Sequence, residues 1–264
     1  MEKIAIVSDI HANLTAWNAF LENVQQRGIK RIFCLGDIVY KGCSPDLVID
    51  SVRKNCEVVI KGNCDETMAS NEALEKLYWT RIKIGEERAN YLKNLPKYYE
   101  FYMSGYFIRL FHASPFGLEN MYNPMYNNEI STYSNLKIEN PKMLFENTSW
   151  LGKTSEDEEP DIIGYGHIHT PNIVRIGNKT IFNPGSVGMP VEMENSNNVD
   201  KSTKFSTVSS YIILEGEFGK KDLSEISFQV IRFPYNLEEE ISRLENSDMQ
   251  TKEMVIRKLR SAEP

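Results

Sequence analysis

The stretch KIAIVSDIHANLTAWNAFLENVQQRG, residues 3–28, predicts a buried strand followed directly by an amphipathic helix. KIAIVSD is a continuous apolar run that ends in polar residues, as a strand covered on both faces does. The residues after it carry apolar side chains at helical spacing, at Leu14, Trp17, Leu21 and Val24. This strand and helix form the first half of a β-α-β unit.

The same alternation continues to residue 63. RIFCLGD at 31–37 and EVVIKGN at 57–63 are two further apolar runs. Between them, Ser44 and Pro45 supply the cap and first residue of a second helix. The order β-α-β-α-β with continuous apolar strands implies a parallel sheet with helices on both faces and right-handed crossovers. The predicted fold class is therefore α/β.

The rest of the chain is predicted to contain a helical region, several strands and a helical end. Residues 66–95 show helical spacing and stop before Pro96, after which the period changes to that of strands. The predicted strand regions are 98–114 with a turn at Ser104-Gly105, 161–186 with a hairpin turn at Gly177-Asn178, 209–218 and 225–233. A charged helix or helix pair closes the chain.

The sequence predicts a single domain over residues 1–264. A chain of 264 residues is long enough for one large domain with a sizeable core, and no linker or internal repeat divides it. Residues 116–160 are rich in asparagine, weakly periodic and end in the acidic SEDEEP. These features are typical of a surface insertion or lid.

The composition favours a globular protein, with 41% apolar and 25% charged residues. No apolar run approaches the roughly 18 residues needed to span a bilayer, and Met1 leads directly into a strand-like segment, so we expect no membrane association and a cytoplasmic location. The 4 cysteines form no CxxC pair, which argues against a disulfide framework and a thiolate zinc site. A net charge of −7 gives no general attraction to long duplex nucleic acid. Small phosphorylated substrates stay compatible, because a metal can supply positive charge.

All 4 histidines lie at or just past the predicted C-terminal end of a strand, the edge where open α/β sheets place their ligands. They are His11, His112, His167 and His169. Asp9, Asp37 and Asn63 follow the first three strands in the same way. The i, i+2 spacing in DIH and HIH points both side chains of each pair the same way if the segments are extended. A ligand set of oxygen and nitrogen without thiolate suits Mn, Fe, Zn, Co or Ni, and not a calcium cage or a structural zinc site.

Taken together, these motifs resemble the five-block signature of the calcineurin-like metallophosphoesterases. The blocks are DIH at 9–11, GD at 36–37, GNCDE at 62–66, His112 and GHIH at 166–169, against D-x-H, G-D, G-N-H-[DE], H and G-H-x-H. The segments DIHANLTAW, WTRIKIGEERANYLKNLP and NPGSVGMP are similar to the bacterial, phosphodiesterase-like branch of that superfamily. The resemblance implies a four-layer α-β-β-α sandwich that carries a dinuclear metal centre.

By position in the motifs, the resemblance implies roles for seven ligands. Asp9, His11 and His169 would hold the first metal, Asn63, His112 and His167 the second, and Asp37 would bridge both. Asp37, Asn63 and His112 would thereby take part in catalysis. The metals would be two divalent ions, with Mn the first choice and Fe, Zn, Co or Ni as alternatives. Such a pair lowers the pKa of a bridging water, and the resulting hydroxide attacks phosphorus in line.

Two further features surround this predicted centre. Lys41 stands where the related protein phosphatases carry an arginine, so we expect it to contact phosphate together with Asn63; the alternative is an ordinary surface lysine. The segment NPGSVG, residues 183–188, is expected to bring glycine backbone close to the site, with direct substrate contact as the alternative.

Cys64 occupies the position of a histidine in the family block G-N-H-[DE], and Asp65 still follows it. In the family, that histidine is held by its acidic neighbour and helps to protonate the leaving oxygen. A thiol with a pKa near 8.5 is a poor proton donor. We therefore expect weakened leaving-group protonation, with simple packing of Cys64 as the alternative.

The sequence therefore predicts a metal-dependent phosphoesterase acting on a phosphodiester or nucleotide-type substrate. A serine/threonine-type protein phosphatase is the first alternative, and its distinguishing arginine and histidine are absent at positions 41 and 64. A weakly active metal-binding regulatory module is the second.

Overall fold

The computed structural model of the chain describes residues 1–70, 78–120, 122, 141–146, 150–152, 158–192 and 204–261. Its helices are α1 (Leu14–Gln26), α2 (Pro45–Asn55), α3 (Asn63–Ala69), α4 (Tyr78–Lys93), α5 (Met143–Glu146), α6 (Leu237–Glu245) and α7 (Lys252–Arg260). The strands of the first half are β1 (Glu2–Val7), β2 (Arg31–Cys34), β3 (Val58–Val59), β4 (Tyr98–Met103), β5 (Tyr106–Phe111) and β6 (Ile162–Gly164). Those of the second half are β7 (Asn172–Ile176), β8 (Lys179–Asn183), β9 (Val191–Glu192), β10 (Lys204–Phe205), β11 (Val208–Gly216) and β12 (Ser227–Pro234).

Two five-stranded sheets form the centre of the protein. The first has the order β12-β11-β1-β2-β3 and the second the order β4-β5-β6-β8-β7. In the first sheet, β1, β2 and β3 are parallel, as the β-α-β-α-β pattern predicts, while β11 and β12 add to it in antiparallel fashion. In the second sheet, β5, β6 and β8 are parallel. A short third sheet pairs β9 with β10.

The alternation of side chains in the strands explains why the sheets form layers. Ile4 and Ile6 of β1 pack against Ile108 and Leu110 of β5 in a core between the two sheets. The intervening Ala5 faces the other way, into a core shared with α1, α2 and α4. On the outer face of the second sheet, a third cluster includes Phe111, Ile163 and Ile181 together with residues of α5. The layers therefore run α-β-β-α, which confirms the predicted four-layer sandwich.

The helical region predicted at 66–95 differs from the structure in its bounds and continuity. Helix α3 begins at Asn63, because the chain turns into a helix directly after the third strand, with Gly62 at its cap. Residues 71–77 of this predicted helical region lie outside the described part of the chain. Within α4, Gly85 has a φ of 68°, so the helix is interrupted there.

The predicted hairpins and the helical C-terminus are present. β4 and β5 pair across Ser104-Gly105, and β7 and β8 pair across Gly177-Asn178. The chain closes with the helix pair α6 and α7. Most of the predicted lid at 116–160 lies outside the described residues, so it stays a prediction. None of the helices in the described ranges combines the length and the apolar character needed to cross a bilayer.

Candidate metal centre

The loop after β1 carries Asp9 and His11 in a conformation that the sequence did not predict. Asp9 and His11 have φ values of 56° and 50°, so the expectation of an extended segment is wrong. Non-glycine residues adopt this left-handed region at a cost of roughly 1–2 kcal/mol. Backbone hydrogen bonds to the loop after β2 hold it here, because Asp9 N–H donates to Gly36 O at 3.0 Å and His11 N–H donates to Asp37 O at 2.9 Å.

The other histidine pair lies on a similarly shaped loop. His167 and His169 have φ values of 69° and 61°, so the extended conformation predicted for HIH is also wrong. The His167 N–H donates to Oδ2 of Asp9 at 2.9 Å, which joins this loop to the one after β1. In both loops the two ligand residues have left-handed backbones in place of the predicted extended conformation. Their side chains nevertheless meet, as the distances below show.

One group of three side chains forms at the meeting point of these loops. Nε2 of His11 lies 3.1 Å from Nε2 of His169. Oδ1 of Asp9 lies 3.2 Å from Nε2 of His169 and 3.6 Å from Nε2 of His11. All three residues are buried, and their ligand-type atoms lie within 4.8 Å of one another.

A second group forms beside the first. Oδ1 of Asn63, the first residue of α3, lies 3.0 Å from Nε2 of His112 and 3.1 Å from Nδ1 of His167. The same two histidine nitrogens are 3.3 Å apart. His112 follows β5 directly, and His167 comes three residues after β6, so two neighbouring parallel strands deliver both rings to the same edge.

Asp37 lies between the two groups. Its Oδ2 is 3.7 Å from Nε2 of His11, and its Oδ1 is 3.5 Å from Nε2 of His112. The structure therefore brings together all seven residues that the sequence predicts as ligands, with Asp37 in the position that a bridging carboxylate would need.

Backbone carbonyls orient three of the four imidazole rings. Nδ1 of His112 lies 2.8 Å from Leu35 O, that of His169 lies 2.6 Å from Met189 O, and that of His11 lies 3.4 Å from Val39 O. A carbonyl accepts only, so each of these Nδ1 atoms carries a proton, and each Nε2 faces the centre, where it presents a lone pair when the ring is neutral. Backbone carbonyls commonly fix metal-binding histidines in this way.

The electrostatics of the first group favour the forms that bind a cation. Burial raises the pKa of the Asp9 carboxyl, but the histidines around it, His169 first, hold that pKa well below its ordinary value. Burial and then Lys41 lower the pKa of His11 well below its ordinary value. Asp9 is therefore anionic and His11 neutral at neutral pH, the protonation states that metal ligands require.

In the second group, the pKa of His167 also favours the metal-binding form, whereas that of His112 is shifted upward. Burial, with the nearby His112, lowers the pKa of His167 to about 4. For His112, burial lowers the pKa, but Asp37 and then Asp9 outweigh burial and raise it above its ordinary value. Burial raises the pKa of Asp37, yet His112 and His11 lower it overall. The carboxylate of Asp37 thus remains charged between the two groups.

These residues fit divalent metal ions. With their Nδ1 atoms protonated, His11 and His169 face each other and Asp9 with lone pairs alone, and Oδ1 of Asp9 is buried without a hydrogen-bond partner in the described chain. Such a convergence of acceptors is repulsive unless cations lie among them. The ammonium of Lys41, 3.1 Å from Nε2 of His11, offsets part of this repulsion, and a metal ion would offset it for all three side chains. Two ligands at about 2.1 Å from one ion are roughly 3–3.4 Å apart, close to the separations within each group. The protein therefore contains a candidate metal-binding cluster.

Comparison with known proteins identifies the family of the chain. The sequence profile of the calcineurin-like phosphoesterase superfamily domain matches residues 2–200. The chain belongs to the calcineurin-like phosphoesterase superfamily. An uncharacterized protein of Methanocaldococcus jannaschii is 33% identical over 198 residues, which cover 71% of this chain and 76% of that protein.

Two solved structures share the fold of this calcineurin-like phosphoesterase. A metallophosphoesterase from Sphaerobacter thermophilus superposes with a TM-score of 0.68 at 21% identity, covering 99% of this chain and 100% of the other. A hypothetical protein from Pyrococcus horikoshii gives a TM-score of 0.66 at 18% identity, with 98% of both chains covered. Both coverages extend over the C-terminal strands and helices that follow the family match.

Lys41 reaches the centre from the loop after β2. Its Nζ lies 3.1 Å from Nε2 of His11, so it donates to the lone pair that a metal would use. Lys41 and its neighbour Tyr40 both have left-handed backbones, with φ values of 75° and 72°. This loop is held to the ligand loop because Gly42 N–H donates to His11 O at 2.8 Å. Lys41 therefore lies beside the ligand His11, and its contact with phosphate stays a prediction.

Cys64, at the position of the family histidine, also faces the centre. Its Sγ lies within 4.8 Å of ligand-type atoms of His11 and Asp37, and its backbone N–H donates to Oδ1 of Asp37 at 2.8 Å. Burial, followed by Asp37, raises the pKa of the thiol well above its ordinary value. The side chain is thus a buried neutral thiol beside the ligands, and its effect on leaving-group protonation stays a prediction.

Both carboxylate oxygens of Asp65 accept hydrogen bonds from backbone N–H groups. Its Oδ1 accepts from Ile38 N–H at 2.9 Å, and its Oδ2 accepts from Gly62 N–H at 2.9 Å. Burial, followed by Asp37, raises the pKa of Asp65 to about 7. Its observed contacts join the loop after β2 to the start of α3 and so fix Asp37 relative to Asn63.

The segment NPGSVG supports the centre through its backbone, as predicted. Gly188 N–H donates to Asp9 O at 3.0 Å, and a Cβ added at Gly188 would lie 1.8 Å from Ile10 O. Ser186 Oγ donates to the same Asp9 carbonyl at 2.7 Å, a contact that the sequence analysis did not identify. The signal was present, because Ser186 lies in the segment already expected to approach the site.

Proposed function

We propose that the protein is a dinuclear metal-dependent phosphoesterase that hydrolyses a phosphodiester or a nucleotide-type substrate. The observation that carries the proposal is the position of Asp37, with one carboxylate oxygen facing His11 at 3.7 Å and the other facing His112 at 3.5 Å. A carboxylate in this position offers one oxygen to each group of ligands. It would offset the repulsion between two cations held close together.

The proposed assignment of ligands follows the two groups. Asp9, His11 and His169 would hold one ion, and Asn63, His112 and His167 the other. When bound, two divalent ions supply a water of lowered pKa as nucleophile and neutralise the non-bridging oxygens of phosphate. The oxygen and nitrogen donors suit Mn, Fe, Zn, Co or Ni, and the family resemblance makes Mn the first choice.

The chain's own residues would bind and orient the phosphate. Lys41, with its ammonium 3.1 Å from Nε2 of His11, is close enough to contact a phosphate oxygen at the first group. Asn63 presents its amide to His112 and His167 and would contact phosphate from the opposite side. Lysine gives a point charge without the bidentate fork of arginine, so it constrains the orientation of phosphate less.

Position 64 distinguishes the proposed function from its alternatives. A neutral thiol protonates a departing alkoxide poorly, so esters with good leaving groups are the favoured substrates. A serine/threonine-type protein phosphatase would need to protonate a poor alkyl leaving group. A regulatory module would bind metals in the same residues with little turnover.

The decisive experiment combines metal analysis with a substrate screen. The purified protein should bind two Mn²⁺ per chain, lose hydrolysis on chelation and regain it when Mn²⁺ is added back. Aryl phosphodiesters should be hydrolysed faster than phosphorylated peptides. One ion per chain at saturation would contradict the dinuclear assignment, and two ions without turnover on any ester would favour the regulatory module.

A further inference from the structure

The C-terminal helix pair packs against the start of α1 and against Cys43. It lies beyond the family match, which ends at residue 200. Glu240, in the first turn of α6, is 1% exposed. Buried carboxylates are rare in proteins unless other groups pair with them. The partners of Glu240 therefore indicate what the helix pair does.

Glu240 binds the first turn of α1. Its Oε2 accepts from Thr15 Oγ1 at 2.7 Å and from Thr15 N–H at 3.3 Å. The N–H groups of a first helical turn lack partners within the helix, and the carboxyl oxygen of Glu240 supplies one to Thr15. One side chain of α6 thus fixes the starting point of α1.

The start of α1 is the end of the loop that carries Asp9 and His11. Asn13 is the cap of α1, where its Oδ1 accepts from Ala16 N–H at 2.9 Å. The Asn13 Nδ2 donates to Gly188 O at 3.0 Å, and Gly188 in turn binds the carbonyl of Asp9. Only three residues lie between His11 and Thr15, so a displacement of Thr15 is transmitted through a short segment to the ligand His11.

The helix pair also contacts the loop that carries Lys41. Cys43 packs among Ile241 and Leu244 of α6 and residues of α7. The segment around Cys43 is bonded to the ligand loop, because Gly42 N–H donates to His11 O and Ser44 N–H donates to Ala12 O at 3.2 Å. The helix pair therefore contacts the first turn of α1, which follows the loop of Asp9 and His11, and the segment around Cys43, which follows Lys41.

We propose that Glu240 is a positioning residue for the metal centre, through which the C-terminal helix pair holds the loop of Asp9 and His11 in its left-handed, ligand-presenting shape. The proposal rests on the proposed function in one respect, that Asp9 and His11 bind a metal ion. It assigns to the part of the chain beyond residue 200 a role in metal affinity.

The test is titration of the metal-free, full-length protein with Co²⁺, whose visible spectrum reports the geometry of its ligands. Glu240→Ala removes the acceptor for Thr15, whereas Glu240→Gln keeps an acceptor oxygen. Glu238→Ala is the matched control, because Glu238 is an exposed carboxylate in the same helical turn. All titrations are made at a temperature where circular dichroism shows each variant to be folded.

We expect Glu240→Ala to weaken Co²⁺ binding by up to about 10-fold and to alter the spectrum. This is the lower end of the loss typical for a direct partner of a metal ligand, because Glu240 acts through Thr15. Glu240→Gln and Glu238→Ala should bind Co²⁺ like the wild type. A purely structural role would lower the melting temperature of Glu240→Ala and leave the affinity and spectrum of its folded form unchanged. That result would overturn the proposal.

A second substitution keeps the proposal testable if Glu240→Ala does not fold. Thr15→Val replaces with a methyl group the hydroxyl that donates to Glu240, and it keeps the branched shape of the side chain. It should weaken Co²⁺ binding in the same direction, and unchanged binding would again contradict the proposal. If the wild type itself binds no Co²⁺, the proposed function fails, which is a different outcome from equal binding by wild type and variants.

Discussion

The backbone N–H of Cys64 donates a hydrogen bond of 2.8 Å to Oδ1 of Asp37. Cys64 is the second residue of α3, so this N–H is among those that the helix itself leaves unpaired. The bond depends on the backbone and would form with any non-proline residue at position 64. The hydrogen bond that holds Asp37 therefore does not depend on the side chain at position 64. This explains how a thiol can replace a histidine there without disturbing the ligands.

The first prediction follows from that separation and concerns leaving groups. The rate of the wild type should depend steeply on the pKa of the released alcohol, with activated aryl esters hydrolysed much faster than alkyl esters. Cys64→His should raise the rate on alkyl esters by up to about 10²-fold, the lower end of what general acid catalysis contributes. The lower end is expected because Asp65 binds backbone N–H groups and is engaged elsewhere.

The measurement is a plot of log kcat/KM against leaving-group pKa for both proteins at saturating Mn²⁺, with metal content determined for each. Cys64→Ser serves as the control, since it changes the side chain without adding a titratable base. Parallel plots for wild type and Cys64→His at equal metal content would show that another group acts as the acid.

The second prediction ranks two substitutions at the centre. Asp37→Asn removes the charge between the two groups, whereas Lys41→Ala removes a cation that contacts one histidine. Asp37→Asn should therefore lower kcat/KM more than Lys41→Ala, and it should also reduce the number of bound Mn²⁺ ions. Lys41→Ala should leave that number at two and mainly raise KM. The opposite ranking would mean that the ligand assignment is wrong.

The identities of the ligands were predictable because their signals are local. A histidine or aspartate directly after an apolar run is visible in the sequence, and parallel strands bring such residues to one edge. The left-handed shape at Asp9 and His11 was not predictable in this way. It depends on hydrogen bonds to Gly36 and Asp37 in a different loop, and the i, i+2 rule holds only in an extended strand.

The burial of Glu240 was not predictable either, because it depends on a contact between distant parts of the chain. In LEEEISRLE it is one of three consecutive glutamates, with nothing to distinguish it from its exposed neighbour Glu239. Its burial comes from packing against Thr15, 225 residues earlier in the chain. Asp65 is a parallel case, because the family motif predicted the residue but its three-dimensional contacts decide what it holds.

The third prediction concerns Gly188, where α1 and the ligand loop approach the backbone closely. A Cβ at this position would lie 1.8 Å from Ile10 O and 3.2 Å from Cβ of Asn13, so Gly188→Ala must displace the loop after β1. We expect a loss of about 1–3 kcal/mol in the free energy of unfolding, as for other overpacked sites, together with weaker Mn²⁺ binding.

The control for Gly188 is Gly28→Ala. Gly28 has a φ of 66° and open space around it, so alanine there meets only backbone strain of roughly 1–2 kcal/mol. Urea unfolding and Mn²⁺ titration of both variants separate the two effects. Unaltered metal affinity in Gly188→Ala would show that the loop tolerates the added methyl group.

The last prediction uses the titration of Glu240 to test its buried contact with Thr15. Burial raises the pKa of Glu240 from 4.5 to about 7, and its Oε1 has no hydrogen-bond partner in the described residues. The folded protein therefore holds a proton that the unfolded chain releases between these values. The stability from this proton is fully present below about pH 4.5 and is lost as the pH rises through about 7.

Glu240→Gln removes this titration and keeps an acceptor for Thr15. A pKa difference of about 2.5 units corresponds to roughly 3 kcal/mol, so the free energy of unfolding of the wild type should fall by up to that amount relative to Glu240→Gln between about pH 5 and about pH 8. Arg243 and Glu239, the neighbouring charges, are common to both proteins and cancel in the difference. Urea unfolding in the presence of a chelator keeps metal binding out of the comparison. If the two stability curves stay parallel across this range, the carboxyl of Glu240 is ionised in the folded protein, and its contact with Thr15 is that of a carboxylate at a helix N-terminus.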